Sequence, residues 1–131
     1  MERVDWPAEY RNFIHLFNER DYFEAHEVLE DLWVVEVPPF KNFYKGLIQA
    51  AVALLHWERG NRSGARKLWR SARGYLENYP ETFEGLRLGA LMEALGSLFR
   101  PLLEEPEVAH PAPCRSTHPV LKLEEPESAA A

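Results

Sequence analysis

The chain has 131 residues, 46% of them apolar and 12% aromatic, which suits one domain with its own core and excludes wholesale disorder. Its one cysteine, Cys114, allows no internal disulfide, and its longest apolar run, Gly46 to Trp57, is well short of the roughly 20 residues of a membrane span. The net charge of −6 is unevenly spread: six of the 21 acidic residues lie beyond Leu103, where only two of the 15 basic residues fall. The N-terminal "MERVDWPAEY" lacks the basic-then-apolar order of a signal peptide. A cytoplasmic protein that does not enter the membrane is therefore expected.

Helical periodicity dominates, and no window sustains the two-residue alternation of a half-buried strand. A first helix is predicted from about Pro7 to Asn18, with Tyr10, Phe13, Ile14 and Phe17 on one face. The second opens at "DYFE", where Asp21 and Glu24 have the spacing of a capping box, and ends near Val37 because Pro38-Pro39 cannot continue it. A third runs from those prolines to about Arg59, stopped by "GN". The fourth covers Arg62 to about Asn78. The fifth spans about Leu88 to Leu103, with Leu91, Leu95, Leu98 and Leu102 on one face and Pro101 near its end. From Glu104 on, five prolines in 28 residues read as a flexible tail, within which "PVLKL" has the pattern of a segment that could lie extended on the domain.

"FNERDYFEA" and "WERGNRSGA" echo each other at an offset of 40 residues: an aromatic residue ends one helix, a polar turn follows, and a small alanine opens the next. This resembles the helix-turn-helix unit of tetratricopeptide repeats, without their period or full consensus. The expected fold is all-α: a five-helix bundle of two antiparallel, tetratricopeptide-like hairpins plus a closing helix. It should occupy residues 1–103, with a Pro/Glu-rich tail over 104–131.

The chemistry concentrates in "FEAHEVLEDLW". At about 100° per residue, Tyr22, Ala25, Val28, Leu29, Leu32 and Trp33 make one apolar arc. His26 and Glu30 sit together at its edge, Glu24 lies at the other edge, and Glu27 and Asp31 face solvent. The third helix is apolar nearly all round, as a central helix is, leaving a thin polar stripe of Lys45, Gln49 and His56. A buried polar group without a partner costs about 1–3 kcal/mol. The nearest partners for Gln49 and His56 are His26 and Glu30 on the preceding helix, so a polar network between the two helices is expected.

"YFEAHEVLEDLW" followed by "FYKGLIQAAVALLHWERGNRSGA" resembles the small bacterial and archaeal family catalogued as domain of unknown function 309. Its hallmarks are an EAHEvlE-type helix, a GLIQ-type helix ending in histidine, and a GN…GA turn. The resemblance covers roughly residues 10 to 78 and implies an all-α fold, with no activity attached. Its hallmark polar positions fall here on Glu24, His26, Glu27, Glu30, Gln49 and His56.

The alternative is a metal-dependent, hydrolytic site. His26 and Glu30, four residues apart on a helix, are an acceptable ligand pair for a divalent metal, and His56 would be a third. However, "HEVLE" is not the H-E-x-x-H of zinc proteases, and the paired Glu-x-x-His motifs of di-iron bundles are missing. Gln49 and His56, about 10.5 Å apart along the axis, cannot share one ion. A carboxylate beside a histidine suits general-base chemistry through water, yet no nucleophile elbow or phosphate loop accompanies it.

Arg62, Arg66, Arg70 and Arg73 form a basic row on the fourth helix. Such a row could meet phosphates, but in an acidic chain without a nucleic-acid motif an acidic protein partner is the better expectation. His110, Cys114 and His118 are regularly spaced among prolines, a pattern read here as accidental. Taken together, the residues favour a cytoplasmic binding or scaffolding module over an enzyme. No cofactor is expected, and the partner is a protein or a second copy of the chain.

Overall fold

Each apolar stripe in the sequence becomes the buried face of a helix. The computed structural model describes residues 5–114 and 116–124; Arg115, Glu125 and Glu127 of the tail lie outside this range. The elements in order are α1 (Ala8–Asn18), α2 (Tyr22–Val35), α3 (Phe40–Glu58), α4 (Arg62–Leu76), β1 (Thr82–Phe83), β2 (Leu86–Arg87) and α5 (Leu88–Glu104). Tyr10, Phe13, Ile14 and Phe17 are buried on α1, as their spacing requires. On α2 the buried set is Tyr22, Ala25, Leu29 and Leu32. On α5 Phe99, not Leu98, occupies the core position between Leu95 and Leu102.

The all-α expectation holds, and α3 is its centre. Ten of its residues are buried, and it packs against both α2 and α4, while α1 packs on α2 and α5 on α4. Antiparallel pairing of α2 with α3 follows from its ends. Arg20 Nη2, just before α2, lies 3.4 Å from Glu58 at the end of α3. At the far end Lys41 Nζ, at the start of α3, donates to the Trp33 carbonyl at 2.8 Å.

Local chemistry explains most element ends. Asn61 caps α4, its side-chain oxygen accepting the Gly64 N–H at 3.0 Å. Asp21, expected to do the same for α2, makes no side-chain capping bond. Helix α2 ends at Val35, with Glu36 already extended, and α4 ends at Leu76. Pro101 does not stop α5, which continues to Glu104.

Two features depart from the sequence reading. Residues 82–87 form a small hairpin, Thr82 paired with Arg87 and Phe83 with Leu86. Its turn residues Glu84 and Gly85 both have positive φ, 50° and 71°, the requirement of a two-residue hairpin turn. Strands of two residues are too short to register as alternation. The Tyr10 hydroxyl donates to the Glu84 carbonyl at 2.9 Å, and the Phe83 ring packs at an angle to Phe43 (edge-on) and Tyr79 (tilted), with centroid distances of 4.9 Å.

The segment expected as a flexible tail is laid on the domain as far as Glu124. Trp57 Nε1 donates to the His110 carbonyl at 2.9 Å and Arg62 to the Val108 carbonyl at 2.7 Å. Leu121 is buried, and Leu123 bridges to Leu86 in antiparallel fashion. "PVLKL" thus does lie extended against the domain. No helix among the described residues is long and apolar enough to cross a membrane.

Candidate functional site

Because α2 and α3 run antiparallel, residues at helical spacing on each line the two sides of one seam. Glu30 and Trp33 from α2 and Lys45, Ile48 and Gln49 from α3 enclose a small open cleft of about 170 Å³. Glu30 and Gln49 line the same cleft, and among the described residues no hydrogen bond joins them. The Gln49 side-chain oxygen is shielded from solvent and unpartnered among the described residues, and so is the indole N–H of Trp33. Each orphan of this kind costs about 1–3 kcal/mol.

Trp33 is the hub of this end of the seam. The ammonium groups of Lys41 and Lys45 both lie 4.6 Å from its ring centroid, contacts worth about 0.5–1 kcal/mol each at partly exposed sites. Lys41 also bonds the Trp33 carbonyl at the C-terminus of α2, where a cation complements the helix dipole. Glu30 is exposed at the rim. Sequence reasoning placed Trp33 in the apolar arc and passed over Lys41. The signal available was a tryptophan ending one helix with lysines eight and twelve residues on, across a tight connection.

The histidines find other partners. His26 uses Nδ1 to donate to the Phe23 carbonyl in its own helix, and its ring packs on Phe23 at 5.2 Å, over which the Arg59 guanidinium sits at 5.8 Å. His56 reaches down the chain instead: Asn61 Nδ2 lies 3.2 Å from His56 Nδ1. With the Asn61 oxygen held by Gly64, that amide nitrogen donates and His56 Nδ1 accepts. No hydrogen bond among the described residues joins His26 or Glu30 to Gln49 or His56, so the four-residue network is not assembled. The metal alternative meets a plainer correction: among the described residues no group of three His, Cys, Asp or Glu side chains is placed to hold an ion, His26, Glu30 and His56 included. An acceptor one turn back, or a capping asparagine just ahead, satisfies each imidazole without crossing the seam.

Glu24 and Glu27 are exposed. At the opposite end from Trp33, burial and then the Glu58 carboxylate push the Tyr22 phenol well above its ordinary range, with Arg20 opposing. The arginine row is divided: Arg62 is bound to the Val108 carbonyl, one terminal nitrogen of Arg66 is shielded and unpartnered, and Arg70 and Arg73 are exposed. In the tail, the His110 ring nitrogen faces the Glu105 carbonyl at 3.0 Å and Cys114 contacts Ser116 and Thr117; among the described residues they form no three-ligand group.

Comparison with known proteins adds relatives. The chain is 37% identical over 98 residues to the uncharacterized protein YpuF of Bacillus subtilis (strain 168), a match covering 72% of this chain and 56% of that one. It is 34% identical over 88 residues to an uncharacterized protein of Aquifex aeolicus (strain VF5), covering 63% of this chain and 26% of that one. The chain thus spans about half the length of the first relative and about a quarter of the second. A family model described as "Domain of unknown function (DUF309)" matches residues 10–68. That segment holds every residue of the α2–α3 cleft, and it is similar to this family.

Proposed function

We propose that the protein is a binding module rather than an enzyme, and that a protein partner docks on the α2–α3 face around Trp33. What supports this reading is an exposed apolar run next to a small open cleft lined by Glu30, Trp33, Lys45 and Gln49. Immediately beyond Trp33 stand three exposed apolar residues, Val34, Val35 and Val37, at 64%, 74% and 62% exposure. An apolar patch beside placed polar groups is the anatomy of a recognition site. The unpaired cysteine suits a reducing compartment such as the cytoplasm.

The test is photocrosslinking in the cell from a reactive residue placed at Val35, with one at exposed Lys67 on α4 as control. A discrete adduct from Val35 and none from Lys67 is expected, and an adduct of twice the chain mass would identify a second copy as partner. Equal labelling from both positions, or none from Val35, refutes the reading.

A further inference from the structure

Helices α2 and α4 both pack on α3, each with its apolar side inward. On the side away from the core α2 carries Glu24, Glu27 and Asp31, all exposed, and the helix contains no lysine or arginine. Helix α4 carries Arg66, Arg70 and Arg73, the first half-buried and the other two exposed, and contains no acidic residue. Among the described residues none of these six side chains forms a salt bridge. Like charges three or four residues apart on one helix repel. Glu24–Glu27, Glu27–Asp31, Arg66–Arg70 and Arg70–Arg73 are all neighbours of this kind, so the separation of sign weakens both helices in the lone chain. An intermingling of acids and bases would have strengthened them.

The two rows correspond in shape as well as in sign. Each sets three charges across seven helical steps, about 10.5 Å of axis, within an arc of about 60°. We propose that they form an interface between copies of this chain, the acidic row of α2 on one copy meeting the arginine row of α4 on the next. Each row then relieves the repulsion within the other. The two surfaces differ, so the contact adds copies head to tail, or closes on itself where the geometry allows.

A second copy fits better than another anionic partner. A nucleic acid would neutralise only the arginine row, would be repelled by the acidic one, and would approach a chain of net charge −6. A foreign acidic protein would engage one row of the two. A second copy brings both, in equal number.

The contact lies on the outer side of α2 and goes beyond the docking reading, since it does not use the α2–α3 cleft. The test is sedimentation velocity of the full-length chain over a range of concentrations. At about 0.05 M salt the average mass should rise with concentration, and at about 0.5 M, where surface charges are screened within a few ångströms, it should return to that of a single chain. The double variants Glu24→Arg, Glu27→Arg and Arg70→Glu, Arg73→Glu should each stay single at the lower salt, because their two rows now repel. An equimolar mixture of the two should associate again, since each supplies the row that the other lost. The milder Glu27→Gln and Arg70→Gln should each weaken association at least about threefold. Lys67→Glu reverses an exposed charge about 90° round α4 from the row, and should associate as the parent does. Far-UV circular dichroism matching the parent's shows that the variants are folded.

A parent that stays single at low salt overturns the proposal. So does association that survives high salt, a reversed variant that associates alone, a mixture that stays single, or full association in either glutamine variant. An equal loss in Lys67→Glu would show a response to net charge alone and would overturn it too. No variant here alters the cleft or the valines beside it, so failure of this interface leaves the Val35 crosslink to decide the docking reading by itself.

Discussion

Gly46 lies against Leu76 so closely that a Cβ at position 46 would sit 2.6 Å from Leu76 Cγ and Cδ2 and 3.2 Å from Tyr75 Cβ. Here α3 lies close against α4, and Leu76 is fully buried, so it cannot swing aside. Gly74, within α4, has nothing within 4 Å of a Cβ placed on it. The same substitution should therefore act in opposite directions. Gly46→Ala gains helix propensity but overpacks a rigid contact, for a net loss of about 1–3 kcal/mol. Gly74→Ala keeps the propensity gain of about 1 kcal/mol. Urea denaturation of the two variants checks the sign of each.

Asn61 bridges two helices, accepting the Gly64 N–H at 3.0 Å and facing His56 Nδ1 at 3.2 Å. Asn61→Ala should lower stability by about 1 kcal/mol from the lost cap. Asp21→Ala, at the matching place before α2, should be close to neutral because Asp21 makes no capping bond. Equal losses in the same denaturation experiment would show that both residues cap.

Asn18 holds the returning tail as a neighbouring strand would. Its Nδ2 donates to the Leu121 carbonyl at 2.8 Å, and its oxygen accepts the Leu121 N–H at 2.7 Å. Asn18→Ala leaves both backbone groups of Leu121 unpaired, a cost of about 1–3 kcal/mol, and should free this segment first. Hydrogen exchange at the Leu121 amide is expected to accelerate at least tenfold while the amides of α3 keep their protection.

Cys114 is exposed, and the hydroxyls of Ser116 and then Thr117, 3.2 and 3.5 Å from its sulfur, bring the thiol down to about 6. Hydrogen bonds made to the charged form lower a pKa. They act fully above the ordinary thiol value and are lost as pH falls through about 6. Alkylation by iodoacetamide should therefore rise through pH about 6 and level off near neutrality. In the double variant Ser116→Ala, Thr117→Val the midpoint should move up toward the ordinary value of about 8.5.

The network expected of Glu30 and Gln49 is not made among the described residues; only that the polar edges of two helices joined by a short turn line one cleft was legible in the sequence. The partners of His26 and His56 were not. Each imidazole met a local acceptor or donor, the Phe23 carbonyl and Asn61, with no loop to close. What anchors "PVLKL" was hidden for the opposite reason: Asn18 is 103 residues away in the chain. The hairpin at 82–87 went unread because a pair of two-residue strands is recognisable only by its turn, Glu84-Gly85.

Composition and periodicity alone determined that the chain is helical, where its helices lie to within a few residues, and that α3 is central, because every amphipathic helix must bury its own stripe. Which polar groups meet, which remain unpaired beside Trp33, and how far the tail is tied down were decided by tertiary packing. Hydrogen bonds form or fail over a few tenths of an ångström. Distances that fine follow from how the packed helices are turned toward one another, and a residue pattern read at 100° steps does not resolve them.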